Sequence, residues 1–219
     1  MKRSIYYCLL LAFCSVYQLN AQMSLGVKGG YTKAWEDYGD VELPEDAEIH
    51  VEGFNVSLTA FWKFNRYLSV GVEPGFVQRG AACVPGWMPI FEGDTKFFLN
   101  YVEMPLMAMG HLPLFGDRLE LFAKGGYGLS YLASATREET IFNGENPQVT
   151  RTKMELGGEN SILNRWDQGI YTGLGVACKI GPGQVTLEGN YFHGLKDADK
   201  TNTSENRSIS WNIGYRINL

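Results

Sequence analysis

From Ser208 to the end of the chain, every second residue is apolar. Ile209, Trp211, Ile213, Tyr215, Ile217 and Leu219 fall on one side, and Ser208, Ser210, Asn212, Gly214, Arg216 and Asn218 on the other. A helix, turning every 3.6 residues, cannot keep such a pattern on one face; a strand, whose side chains alternate, keeps it automatically. The same pattern sets Ile170, Thr172, Leu174, Val176, Cys178 and Ile180 against Tyr171, Gly173, Gly175, Ala177 and Lys179. Eight segments read this way: Met23–Trp35, Gly53–Asn65, Tyr67–Gly80, Phe97–Leu112, Arg118–Ala135, Arg165–Ile180, Gln184–Leu195 and Arg207–Leu219.

Most of these segments exceed the roughly 5–6 residues of ordinary globular strands and reach the about 9–11 that a tilted strand needs to cross a bilayer. Their connections alternate in length. Asn65-Arg66, Leu114 to Asp117 and Gly181-Pro182-Gly183 are tight, whereas 36–52, 81–96, 136–164 and 196–206 are long. Short turns at one end and long loops at the other are the layout of an outer-membrane barrel. The expected fold is therefore all-β: a closed antiparallel eight-stranded up-and-down transmembrane β-barrel. Pro74 and Pro105 fall inside expected strands, and each is expected to mark a bulge.

Alternation does not by itself say which face points inward. The polar face is rich in small residues, among them Ser24, Gly26, Gly30, Ser57, Gly71, Gly126, Ser130 and Gly173. A solvated exterior would more often carry Lys, Glu and Gln, whereas a narrow interior needs small side chains. Scattered among them are Lys28, Lys63, Lys124, Lys179 and Arg216, against Glu73, Glu103, Glu120 and Glu188. Near-balance of opposite charges is what a packed lumen requires, because a buried charge is tolerated only when paired. These nine residues form the expected lumen charge network. Aromatic residues sit near both ends of the opposite face: Trp62, Phe64 and Tyr67 by a short turn, and Trp35, Tyr131 and Trp166 by the long loops. They suit the two interfaces of a lipid layer.

The chain starts Met1-Lys2-Arg3, runs apolar from Ile5 to about Val16, and reads Leu19-Asn20-Ala21 before Gln22. This has the parts of a cleavable secretory leader, and the apolar run is short of the ~20 residues of a spanning helix. Residues 1–21 are expected to be that leader, and 22–219 the barrel domain. Formal net charge is −5, and loss of Lys2 and Arg3 makes it more negative. That excludes nucleic acid as a partner, for which a basic surface is the footprint. Cys8 and Cys14 leave with the leader. Cys83 and Cys178 remain as two free thiols at opposite ends of the barrel, with Cys83 expected to be reachable from the outer loop.

Tyr101-Val102-Glu103-Met104-Pro105-Leu106 resembles the Tyr-x-Glu-x-Pro-Leu strand of the PorT-like family of small outer-membrane β-barrel proteins. His193-Gly194-Leu195, a polar loop and the strand with Gly214-Tyr215-Arg216 are similar to that family's closing hairpin. The resemblance covers essentially the whole mature chain and implies an eight-stranded barrel in the outer membrane. The family usually ends its last strand in Phe, where this chain has Leu219. The family holds many proteins of unassigned role, so it implies no activity.

Chemistry-bearing motifs are sparse. His50, His111 and His193 are the three histidines, and each reads as a rim residue rather than a base. Lipid-deacylating barrels place a Ser two residues after their His; after His193 that position is Leu195. Asp197, Asp199, Thr201 and Asn202 lack the bidentate Glu of a calcium loop. No enzyme activity and no cofactor are expected. One loop stands out: Glu36, Asp37, Asp40, Glu42, Glu45, Asp46, Glu48 and Glu52 occur with no Lys or Arg between them. It reads either as a self-repelling solvated loop or as a surface for a cation or basic protein partner. The expected role is structural or surface interaction through the outer loops, with outer-membrane lipids as partners. A lipid-modifying membrane enzyme and a soluble periplasmic barrel carrying a small apolar ligand remain as alternatives.

Overall fold

Among the described residues the chain forms ten strands: β1 Gln22–Asp37, β2 His50–Lys63, β3 Leu68–Val72, β4 Gly75–Cys83, β5 Asp94–Leu114, β6 Leu119–Asn143, β7 Asn146–Lys153, β8 Trp166–Ile180, β9 Gly183–Asp197 and β10 Glu205–Asn218. The computed structural model describes residues 22–37, 50–83, 94–115, 118–143, 146–157, 161–198, 200 and 204–219. The expected leader, residues 1–21, lies outside them, as do 38–49 and 84–93 of the long loops. All ten strands form one sheet of order β3-β5-β4-β2-β1-β10-β9-β8-β6-β7, with further pairings of β3 to β2 and β5 to β6. Every pairing is antiparallel.

The expectation of a closed eight-stranded barrel is corrected by this sheet. It has ten strands and curls into a near-ring of eight, because two local features depart from the uniform pattern. The expected third strand is divided at Glu73-Pro74 into β3 and β4, both lying between β2 and β5. Proline has no N–H to give to a ladder. The break stays anchored: Leu58 N–H donates to Pro74 O at 2.9 Å, and Glu73 N–H donates to Pro105 O at 3.1 Å. The second departure is β7, which pairs only with β6, inside what the sequence reads as a loop. Residues 147–153 are all exposed, so this hairpin has no apolar face and leaves no period-two trace.

Pro105 makes no bulge. It sits in register opposite Gly128, and the irregularity lies at Asn100/Tyr101, where Ala133 is skipped between Leu132 and Ser134. In an antiparallel strand a residue's N–H and C=O point to the same neighbour. The Pro105 carbonyl faces Glu73, so its missing N–H falls at the gap between β3 and β4, where Pro74 also interrupts pairing.

The inward face is not uniformly polar. Phe61, Met107, Met109, Phe122, Tyr171, Ala177 and Phe192 form one buried apolar cluster, and Val77, Leu99, Tyr101, Leu132, Ala135 and Leu163 another. Glycines make room for the rings. A Cβ at Gly175 would lie 2.3 Å from Phe122 Cζ, and one at Gly71 2.7 Å from Phe61 Cγ. The other face exposes Val27, Phe54, Val56, Leu58, Val102, Met104, Leu106, Leu129, Leu174, Leu187 and Ile213.

Among the described residues the two cysteines are free; Cys83 is buried and Cys178 exposed. Cys83 ends β4 opposite Thr95, and Cys178 lies opposite Val185 beside a short turn. Burial of Cys83 revises the expected labelling. An impermeant maleimide on intact cells should leave both thiols largely unmodified, one shielded by packing and the other on the outward apolar face. Denaturant should release both. Rapid labelling of Cys83 in the folded protein would contradict its packing.

Candidate functional site

Four inward side chains come from strands that are not neighbours. Lys28 is on β1, Glu73 follows β3, Lys124 is on β6 and Glu188 on β9. One strand intervenes between each successive pair around the near-ring, so they meet only across its interior. Lys28 Nζ donates to Glu73 at 2.7 Å and to Glu188 at 2.6 Å. Lys124 Nζ donates to both oxygens of Glu73, at 2.8 and 3.0 Å, and of Glu188, at 3.1 and 3.0 Å. Asn190 Nδ2 donates to Glu188 at 3.1 Å. All four charged residues are buried. Two ammoniums and two carboxylates alternate around this cluster, so each charge has two opposite neighbours.

A second group lies toward the long loops. Arg79 on β4, only 1% exposed, donates to Glu103 Oε2 at 2.5 Å and to the Tyr171 hydroxyl at 3.2 Å. Its guanidinium carbon stands 3.8 Å from the centre of the Phe192 ring. Tyr171 donates to Glu103 at 2.7 Å. Beyond it, Asn206 Nδ2 bridges the Tyr101 hydroxyl at 3.2 Å and Asp167 at 2.9 Å.

The third group lies at the short-turn end. Ser69 Oγ and His111 Nε2 are 2.7 Å apart, and His111 Nδ1 and Glu120 Oε1 are 2.8 Å apart. Arg216 donates to Glu120 through Nη2, and to Gln184 through Nε at 2.8 Å. Ser, His and Glu in this order have the connectivity of a hydrolytic triad, in which the His bridges nucleophile and acid. Access is inverted. Ser69 is completely buried, while Glu120 lines the recess that opens at this end. A working nucleophile needs the opposite arrangement, with the hydroxyl open to substrate and the acid behind.

The nine residues of the expected network are therefore distributed among these groups and a rim. Lys28, Glu73, Lys124 and Glu188 come together in the middle, Glu120 and Arg216 at the short-turn end, and Glu103 with Arg79 toward the long loops. Lys63 and Lys179 line the mouth at the short-turn end. Sequence reading missed Arg79 and His111 as interior groups. Counting by twos from Glu73 reaches Arg79, and from Glu103 reaches His111, so parity would have found both. Of the other histidines, His50 and His193 are half-buried near the long-loop ends of β2 and β9.

In the acidic segment, Glu36 is buried and Asp37 accepts from Arg207 at 3.3 Å, while Glu52 is exposed on β2. Asp40, Glu42, Glu45, Asp46 and Glu48 lie outside the described residues, as do Asp199, Thr201 and Asn202. Among the described residues, no group of three His, Cys, Asp or Glu side chains could hold a metal ion.

The voids within the interior are small. One of about 40 Å³ is bounded by Lys28, Glu73, Arg79, Lys124 and Tyr171, and another of about 20 Å³ by Phe61, Met109, Phe122 and Arg216. These hold a few waters at most, since one water needs roughly 10–15 Å³ by this measure. Arg79 Nε, Asn190 Oδ1 and Asn212 Oδ1 have no protein partner and all belong to residues lining the larger void, where such waters would satisfy them.

An inner face that buries paired charges between apolar clusters and an outer face of exposed apolar side chains invert the arrangement of a water-soluble sheet. Residues 17–200 match the model of a family described as outer membrane protein beta-barrel domain. The chain belongs to that family. It is an outer-membrane β-sheet protein, and the family shown is broader than the PorT-like one that the Tyr-Val-Glu-Met-Pro-Leu strand resembles. No curated protein matches the sequence. Among solved structures, it is similar to Neisserial surface protein A at 16% identity, covering 89% of this chain and 96% of that one, with a TM-score of 0.47. It is similar to Ail, the attachment invasion locus protein of Yersinia pestis, at 15% identity, with 89% and 98% covered and a TM-score of 0.43. OprG from Pseudomonas aeruginosa matches at 11% identity, with 91% and 97% covered and a TM-score of 0.44.

Proposed function

We propose that the protein is a non-enzymatic surface scaffold of the outer membrane, exported by the leader in residues 1–21. Its interior is plugged by its own side chains, and its long loops meet a protein or cation partner outside the cell. The PorT-like resemblance of the Tyr101–Leu106 strand is kept as the finer family reading. The observation that carries the proposal is the meeting of Lys28, Glu73, Lys124 and Glu188 across the interior at 2.6–3.1 Å. Charges that saturate one another in this way are poorly placed to pass ions or bind a substrate. The outward apolar face is the surface such a protein offers to lipid.

Planar bilayer recording tests the plug: the purified protein should give no steady conductance, and a sustained open level would replace the scaffold by a channel. The apolar exterior carries a second expectation. The protein should fold only in detergent or lipid and should migrate differently on a gel when left unheated. A monodisperse, β-rich species in plain buffer would support the soluble-carrier reading instead.

A hydrolytic reading has one observation in its favour, the Ser69–His111–Glu120 connectivity. With Ser69 fully buried, a fluorophosphonate probe should fail to label the folded protein. Labelling that Ser69→Ala abolishes would make the triad catalytic.

A further inference from the structure

We infer that the outer edge of β7 is a docking edge for an extended, acidic peptide segment of a partner protein, joined by strand addition. The inference rests on the reading of the long-loop end as the partner-facing surface, and it names the partner's chemistry. β7 stands at one end of the sheet: it pairs with β6, and among the described residues no strand lies on its other side.

One hydrogen bond fixes which backbone groups face out. Met154 N–H donates to Ala135 O at 2.9 Å, in register with the β6–β7 ladder. In an antiparallel pair, residues that bond to the partner alternate with residues whose N–H and C=O point to the other side. Gln148, Thr150 and Thr152 therefore turn their backbone groups to β6, and Val149, Arg151 and Lys153 present theirs along the outer edge. Pro147 shares the outer parity, so its missing N–H takes nothing from the β6 ladder. Residues 147–153 are all exposed. They also stand clear of the apolar belt. Two residues beyond exposed Val102, Asn100 accepts from Gln78 and donates to Ser134, each at 2.9 Å. This polar ladder crosses β4, β5 and β6, and β7 pairs with β6 only from Thr136 onward.

The side chains on that edge select the occupant. An added antiparallel strand sets its own residues directly opposite Val149, Arg151 and Lys153, on the same face. From Asn146 to Lys153 the chain carries two cations and no acid. Arg151 bonds Glu138 on the β6 side through Nε, yet its side chain is 73% exposed, so its fork can also meet a carboxylate on the outer side. A basic strand would set like charges opposite one another. Pro147 and the two cations thus guard the edge against indiscriminate pairing while admitting an acidic strand. Glu155 follows β7, which ends the acidic stretch opposite Lys153. Read from its N-terminus, the complementary segment is acid, any residue, acid, any residue, apolar.

The test uses the full chain in nonionic detergent and a short synthetic peptide, Thr-Glu-Thr-Glu-Thr-Val-Thr, followed by fluorescence anisotropy and amide exchange. Bound peptide should slow exchange at Val149, Arg151 and Lys153 by about tenfold or more, and hardly change it at Thr150 and Thr152. The same peptide with Lys in place of Glu should bind about tenfold more weakly. N-methylation of the peptide at Glu and Val should abolish binding, whereas N-methylation at the intervening Thr should not. Val149→Pro removes one outer N–H and spares the β6 ladder, and should weaken binding. The N-methylated peptides make the same comparison should that variant fail to show the unheated gel band. Absence of binding, or binding indifferent to the N-methylated positions, overturns the inference. So does slowing that follows protein concentration without peptide, which identifies a second copy as the occupant. Bilayer recording separates this inference from the scaffold reading. Silent bilayers without peptide binding overturn the docking edge alone, whereas steady conductance with binding intact removes the plug and supports the edge.

Discussion

Lys124→Met should lower folding stability by about 3–5 kcal/mol, the usual cost of removing one partner from a buried ion pair. Lys124 donates to all four carboxylate oxygens of Glu73 and Glu188. Without it, two buried carboxylates share the single ammonium of Lys28, and each is left next to a like charge. Adding Glu73→Gln to Lys124→Met should recover much of the loss, because Lys28 and Glu188 remain as a matched pair at 2.6 Å. The control is Arg151→Gln. Arg151 contacts Glu138 at 2.6 Å from a side chain 73% exposed, and such pairs contribute about 0–1 kcal/mol. Urea unfolding in lipid vesicles at one pH measures all three. If Lys124→Met shifts the midpoint no more than Arg151→Gln, the interior is wet enough to screen the cluster, and the plug in the proposed function goes with it.

Arg79→Met should destabilise by a similar amount, about 3–5 kcal/mol, although it leaves the four-charge cluster intact. The guanidinium is fully buried, holds Glu103 at 2.5 Å and stacks on Phe192. Methionine keeps much of the volume but strands the Glu103 carboxylate, with Tyr171 as its remaining donor among these contacts. Arg79→Lys should rescue only part of the loss, because an ammonium cannot both stack flat on a ring and present a planar fork. The double variant Arg79→Met, Glu103→Met removes both charges and should approach the parent protein, since apolar replacement of an entire buried pair is often close to neutral. Equal losses in the single and double variants would show that Arg79 contributes packing rather than charge pairing.

How much could be read in advance differs by element. The strands with one apolar and one small or polar face were legible, and seven of the nine expected interior charges occur in the three buried groups. β7 was illegible because both its faces meet water, which removes the contrast that alternation depends on. The division into β3 and β4 was visible only as Pro74. A proline can mark a bulge, an edge or a break, and only the partner strands decide which. Lys63 and Lys179 have the same parity as the buried charges but sit where β2 and β8 reach the mouth. Parity assigns a face, not a depth.

The sequence by itself determined what period two can encode: an all-β chain, the two faces of every strand that has an apolar side, and the presence of charges of both signs on the inward one. Tertiary structure alone decided which charges touch. Lys28, Glu73, Lys124 and Glu188 are separated by as many as 160 residues and stand on, or for Glu73 just after, strands that do not pair with one another. Their contact depends on how the sheet curls, on the stagger between strands and on the glycines that let Phe61 and Phe122 fill the space beside them. None of these is a property of a single strand. The same curvature buries Ser69 behind His111 while Glu120 lines the open mouth, so three side chains from β3, β5 and β6 are joined in the connectivity of a triad.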